Sequence, residues 1–160
     1  MERVSLPVIG VIHSPFDKLD GMPIQSAGAR DVEGTVEVHP EYAEGLRDLE
    51  GFSHVYLIYW FHRAQRTELS VVPFLDTEKR GVFATRSPLR PAHIGLSIVE
   101  LLRVEGPTLT VRGVDILDGT PLLDIKPYVP EFDHRSNATS GWLKAAKGNP
   151  LEARADGRFV

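Results

Sequence analysis

Residues 53–61 read Ser-His-Val-Tyr-Leu-Ile-Tyr-Trp-Phe. β-branched and aromatic side chains dominate this run, which predicts an extended strand, buried on both faces at its middle, rather than a helix. Toward the N-terminus, Pro40 opens EYAEGLRDLE. There Tyr42, Leu46 and Leu49 recur at helical spacing, acidic residues occupy the first turn and Gly51 follows the end. This predicts one short amphipathic helix. Residues 34–39, GTVEVH, alternate Val36 and Val38 against Glu37 as a strand does. Residues 17–30 carry Asp20-Gly21, Pro23 and Ser26-Ala27-Gly28, a polar loop of a length that in small domains marks function or mobility. Residues 4–12 are rich in Val and Ile and stop at Ser14-Pro15, which predicts the first strand.

Toward the C-terminus, residues 63–79 form a charged loop, and residues 81–86 read as the next strand. Residues 94–104 are apolar at 94, 96, 98, 99, 101, 102 and 104, a mixed period that fits helix or strand. Residues 108–114, TLTVRGV, are an alternating strand. Asp118-Gly119-Thr120-Pro121 is a tight turn, and residues 122–125 a short strand. At least five strands, one helix and frequent Gly and Pro turns predict a mainly β domain, an open barrel or sandwich. No G-x-G-x-x-G follows a strand and no P-loop is present, which disfavours a doubly wound nucleotide fold. Residues 1–143 form the expected domain. Residues 144–160 form a C-terminal tail, anchored by Trp142 and Leu143 and loosely held over its last dozen residues.

A chain of 160 residues, 42% hydrophobic and 25% charged, is the size and composition of one soluble domain. No apolar run approaches a membrane span, and the opening MERVSLPVIG lacks the pattern of a secretory signal, so no membrane and a cytoplasmic location are expected. The absence of cysteine removes disulfides, thiolate metal sites and cysteine nucleophiles. With 18 basic against 22 acidic residues, nucleic acid finds no global electrostatic attraction, although a local basic patch stays open.

Three groups of residues can carry chemistry. Residues 81–97, GVFATRSPLRPAHIGLS, place Arg86 and Arg90 four apart on a proline-stiffened loop, which fits either a carboxylate or other anion, or a plain turn with two solvated arginines. The histidines at 13, 39, 54, 62, 93 and 134 lack i, i+2 or i, i+4 pairs, so no local zinc signature exists. His62 and His93 stand beside loops where a ligand can reach them. Asp115, Asp118 and Asp124 fit general acid–base work or the hydrogen bonding of a ligand, or in the case of Asp118 a simple Asx turn.

The blocks IGVIHSPF, GFSHVYLIYWFH, GVFATRSPLRP followed by IGLS, and DGTPLLDIKPYVP resemble, in order and spacing, the TsaA-like family over roughly residues 8 to 130. The resemblance implies a small single-sheet β-barrel with one or two short helices and irregular loops. It implies S-adenosyl-L-methionine as cofactor, usually a homodimer, and methyl transfer to the exocyclic nitrogen of threonylcarbamoyladenosine in the tRNA anticodon loop. Carried over by position, it places the cofactor on Ser26, Ala27, Gly28, His62, Arg63, Arg86, Leu96, Ile116, Leu117, Asp118 and Gly119. Arg86 is expected to pair with the cofactor's carboxylate. His62, His93 or Asp118 is expected to take the acceptor's proton, and Arg90, His93 and Lys126 to face the acceptor. The family commonly reads RPNPIG where this chain has Arg90-Pro91-Ala92-His93-Ile94-Gly95, and its larger bacterial members carry a further C-terminal domain. Both differences leave open a different methyl acceptor on the same barrel; a non-catalytic barrel that binds a nucleoside ligand or a partner protein is the alternative from another class.

Overall fold

The computed structural model describes residues 1–24, 26–146 and 148–159. Its strands are β1 (Gly10–His13), β2 (Glu33–Val38), β3 (His54–Trp60), β4 (Ser70–Val71), β5 (Arg80–Gly81), β6 (Ile94–Glu105), β7 (Thr108–Arg112) and β8 (Thr120–Pro127). Six of them close into one antiparallel barrel in the order β1-β2-β7-β6-β3-β8, and β4 and β5 pair separately. The barrel is filled by the inward residues of every strand, among them Ile12, Val36, Leu57, Val99, Leu109 and Leu122. Beside it, Val71, Val82, Leu89 and Phe159 form a smaller cluster under the connection from β3 to β6, with Phe74 packed against them.

The decisive run behaves as a strand, with one difference. Val55, Leu57 and Tyr59 are buried, whereas Tyr56 and Ile58 are half-exposed and Trp60 is exposed. Only the inner face of β3 is fully buried; on its outer face Tyr56 is partly covered by the Tyr128 ring, 5.8 Å away between centroids. The same arrangement explains β6, where the sequence left helix and strand open. Gly95, Ser97, Val99 and Leu101 turn inward while Ile94, Leu96 and Ile98 stand exposed, so apolar residues on both faces hide the strand period.

Three local expectations change. The first strand covers only Gly10–His13, because among the described residues no strand pairs with residues 1–8, which are exposed. The expected helix is two 3-10 segments, Pro40–Leu46 and Leu49–Gly51, separated by Asp48 at φ 69°. Short pieces of chain favour this tighter form, and of its apolar stripe only Leu46 is buried. Of residues 81–86 only Gly81 is strand, the end of β5: the chain then turns through a 3-10 segment, Val82–Ala84, that buries Val82 and exposes Phe83.

The C-terminal segment returns to the body. Ala155 exchanges backbone hydrogen bonds with the 21–22 loop, accepting from Gly21 at 2.8 Å and donating to the Met22 carbonyl at 2.6 Å. Arg154 bridges Pro23, and Phe159 is buried in the smaller cluster. Trp142 Nε1 donates to the Ala84 carbonyl at 2.8 Å. Among the described residues no helix is long and apolar enough to cross a membrane.

Candidate active site

One rim of the barrel holds the end of β3 and the start of β6, which pair Tyr59 with Gly95 and Trp60 with Ile94. Glycine at 95 is a steric necessity, since a Cβ there would overlap the Tyr59 ring. That close approach lets the phenol reach Ser97 Oγ at 2.9 Å, and Ser97 Oγ donates to Asp115 Oδ1 at 2.6 Å. A hydroxyl has a single proton. Ser97 gives it to the carboxylate, so the Tyr59 hydroxyl donates into Ser97.

Asp115 and Tyr59 open onto a cleft of about 340 Å³, walled by Arg86 and Arg90 from the long loop, Ile94 and Leu96 from β6, and Ala155, Asp156 and Phe159 from the returning C-terminal segment. Burial pushes the Asp115 carboxyl up to about 6, against the opposing effects of the Ser97 hydrogen bond and the Arg86 charge. Burial, with the nearby Asp115 charge, also raises the Tyr59 phenol. A recess of about 30 Å³ adjoins the cleft through Leu19, Phe61, Pro88 and Phe159, and is lined by His62, Arg63 and Leu117. Burial, followed by the Arg63 charge, lowers the His62 imidazole below its ordinary value.

The expected residues therefore fall into groups. Arg86, Arg90 and Leu96 line the cleft, and His62, Arg63 and Leu117 its recess. Ala27 and Gly28 lie in the 3-10 turn Ser26–Ala29, with Gly28 pressed against the Leu151 backbone; the Ser26 side chain lies outside the described part of the structure. Ile116 and Leu117 are buried, and Gly119 turns at φ 79°.

Asp118 and His93 stand differently. The Asp118 carboxylate accepts from Ser14 N–H at 3.1 Å and lies 3.3 Å from His13 Nδ1, tying the turn to the end of β1. His93 Nδ1 donates to the Pro88 carbonyl at 2.8 Å, with Nε2 3.4 Å from Thr67 Oγ1, so the ring closes its own loop. Arg90 likewise donates to the Thr85 carbonyl at 2.9 Å. Lys126 stands apart, paired across the sheet with Tyr56 and 3.1 Å from Asp124. Tyr59 and Ser97 were not singled out by sequence. Their signal is the inward register of β3 against β6, which no spacing within one segment contains.

A family model, the tRNA-methyltransferase O N-terminal domain, matches residues 11–134. This chain belongs to that family. Within it, the chain is 58% identical over 151 residues to a probable S-adenosyl-L-methionine-binding protein of Pyrococcus abyssi, covering 94% of this chain and 82% of that one. It is 38% identical over 138 residues to the tRNA (adenine(37)-N6)-methyltransferase of Mus musculus, covering 81% of this chain and 32% of that enzyme. The crystal structure of TrmO from Pseudomonas aeruginosa superposes with a TM-score of 0.74 at 40% identity, covering 88% of this chain and 62% of that one. The closed barrel without a doubly wound sheet is thus the family's fold, and the chain spans less than two thirds of the mouse and Pseudomonas proteins.

Proposed function

We propose that this chain transfers the methyl group of S-adenosyl-L-methionine to N6 of threonylcarbamoyladenosine at position 37 of tRNA, in the anticodon loop, acting as a cytoplasmic homodimer. One observation carries the reading: segments far apart in sequence, the long loop with Arg86, the end of β3 with His62 and Arg63, the start of β6 with Leu96, and the turn after Asp115, meet around one cleft. The cleft fits the cofactor's chemistry. Its volume of about 340 Å³ lies within the roughly 300–1,000 Å³ of small-molecule sites. Arg86 offers a guanidinium to a carboxylate, and Ile94 and Leu96 an apolar wall to a purine.

The cofactor supplies an electrophilic methyl on a sulfonium. The residues align the acceptor with it and keep water out, work that needs little side-chain chemistry. Of the three side chains expected to take a proton, His62 is the one beside the cleft. Arg63, Arg90, Lys126 and Arg135 supply cations for RNA, so affinity falls steeply with salt. The homodimer is supported by the outer face of β3 and β6, where Trp60 and Ile94, Ile58 and Leu96, and Tyr56 and Ile98 stand side by side with Ile94, Leu96 and Ile98 exposed.

A second reading, a different acceptor on the same barrel, is favoured by His93. Its φ of 51° is closed to the proline common in the family at this place, whose ring holds φ near about −65°. The acceptor-side loop therefore takes a path that such relatives cannot. Incubation with radiolabelled S-adenosyl-L-methionine and tRNA from cells lacking this enzyme separates the two. Label in the modified adenosine is the expected result, and label confined to other molecules moves the second reading to first.

A further inference from the structure

The carboxylate the resemblance leaves without a role is the one best placed to act. Resting on the methyl-transfer reading above, we propose that Asp115 is a catalytic residue that accepts the proton of the nitrogen being methylated, and that Ser97 and Tyr59 are its positioning residues.

Asp115 is held between buried Val114 and buried Ile116, so its backbone has little freedom. The Tyr59 and Ser97 hydroxyls form a chain directed one way, each donating toward the carboxylate, and that chain ends on Oδ1. A carboxylate at the end of such a chain is fixed in place and remains a proton acceptor. The charged and titratable groups that act on it are Arg86, from the loop after β5, and Tyr59, from β3. The other anion of the turn, Asp118, is committed to Ser14 and His13, and the His93 ring to Pro88. Asp115 lines the cleft itself.

The step balances. The nitrogen's lone pair forms the C–N bond as the C–S bond breaks, and that electron pair returns to sulfur, leaving a neutral thioether. The nitrogen's proton passes to Asp115 and, after product leaves, to water. A base with a pKa near the working pH is suited to this transfer.

The test uses the full chain. Asp115→Asn is expected to keep its affinity for S-adenosyl-L-methionine by calorimetry and to lose about 10²–10⁴-fold in kcat at saturating tRNA. Ser97→Ala removes a donor to the ionised form, so the acid limb of the pH–rate profile moves to higher pH, and Ser97→Thr restores it. The same upward movement is expected for the Asp115 carboxyl followed by carbon NMR in ligand-free protein, a readout that needs no turnover and stands if Asp115→Asn does not fold. Weakened cofactor affinity with an unchanged saturating rate in Asp115→Asn overturns the proposal by making the carboxylate a cofactor ligand. An acid limb unmoved by Ser97→Ala also overturns it. Wild-type protein that binds cofactor but labels no tRNA overturns the underlying reading, and the proposal with it.

Discussion

The two ends of the barrel carry hollows of similar size and unlike chemistry. The rim at Tyr59 and Ile94 has the cleft of about 340 Å³. At the other end, Tyr42, Gly45, Leu46, Arg47 and Asp48 surround a hollow of about 430 Å³ together with Asp124 and Pro127. The larger hollow has the weaker claim. Arg47 and Asp48 there are exposed and pair loosely, 4.0 Å apart with side chains 80% and 92% exposed, and Asp124 is taken up by Lys126 at 3.1 Å. At the cleft, a half-buried carboxylate is held by a directed pair of hydroxyls and faced by an arginine. Convergent polar groups, and not volume, set the candidate site apart from the opposite end.

The same substitution at both ends gives the largest contrast. Gly95→Ala drives a methyl into the Tyr59 ring, a cost of about 1–3 kcal/mol or more for overpacking, read as a fall of several degrees in Tm together with loss of the Tyr59 contact. Gly45→Ala meets no atom within 4 Å and is expected to leave Tm and cofactor affinity unchanged. Equal losses from the two would erase the distinction. Next in size, Arg86→Ala is expected to weaken S-adenosyl-L-methionine binding by about 10–100-fold, as for a charge-assisted contact. Arg47→Ala leaves that affinity as it was, and calorimetry on both variants makes the check.

A pH effect sharpens the contrast further. The folded Asp115 carboxyl is raised from 3.8 to about 6, so ionising it in place costs folding free energy. The stability of the protonated form is complete below the unfolded value and is lost as pH rises through the folded one. The Tm of Asp115→Asn is therefore expected to gain on wild type between pH 3.8 and about 6 and to hold that gain above it. A gap independent of pH would show the carboxylate to be well solvated. Smallest is Asp48→Gly at the opposite end, which relieves a left-handed residue at φ 69°. It is expected to stabilise the fold by about 0.5–1 kcal/mol in denaturant melts, without effect on methyl transfer.

How much of this was legible in sequence follows from which side chains report locally. β2, β3 and β7 were readable because alternation or β-branched density is written into neighbouring residues. The fold class and the rim segments followed from those strands and from the family blocks. β6 was not readable, since Ile94, Leu96 and Ile98 are exposed and cancel the contrast between faces. Residues 4–8 had the propensity of a strand and no partner, and propensity alone does not make a ladder. Asp115 was visible as one carboxylate of three. Its distinction depends on Tyr59 and Ser97, delivered by two other strands through register, and register is a property of the closed sheet.

Barrel closure also sets an order in time. Strand β1 pairs with β2, close by in sequence, and with β8, and the ties that seal it include Ser14 to Asp118, 104 residues apart. The cleft's outer wall is later still, since residues 21–23 wait for residues 154 and 155. Contacts of such long range make folding slow, because loop closure must precede the reward of pairing. During synthesis, then, the cleft has no complete outer wall until residues 154 and 155 have left the ribosome, so any ligand that needs this wall reports that the pairing has formed.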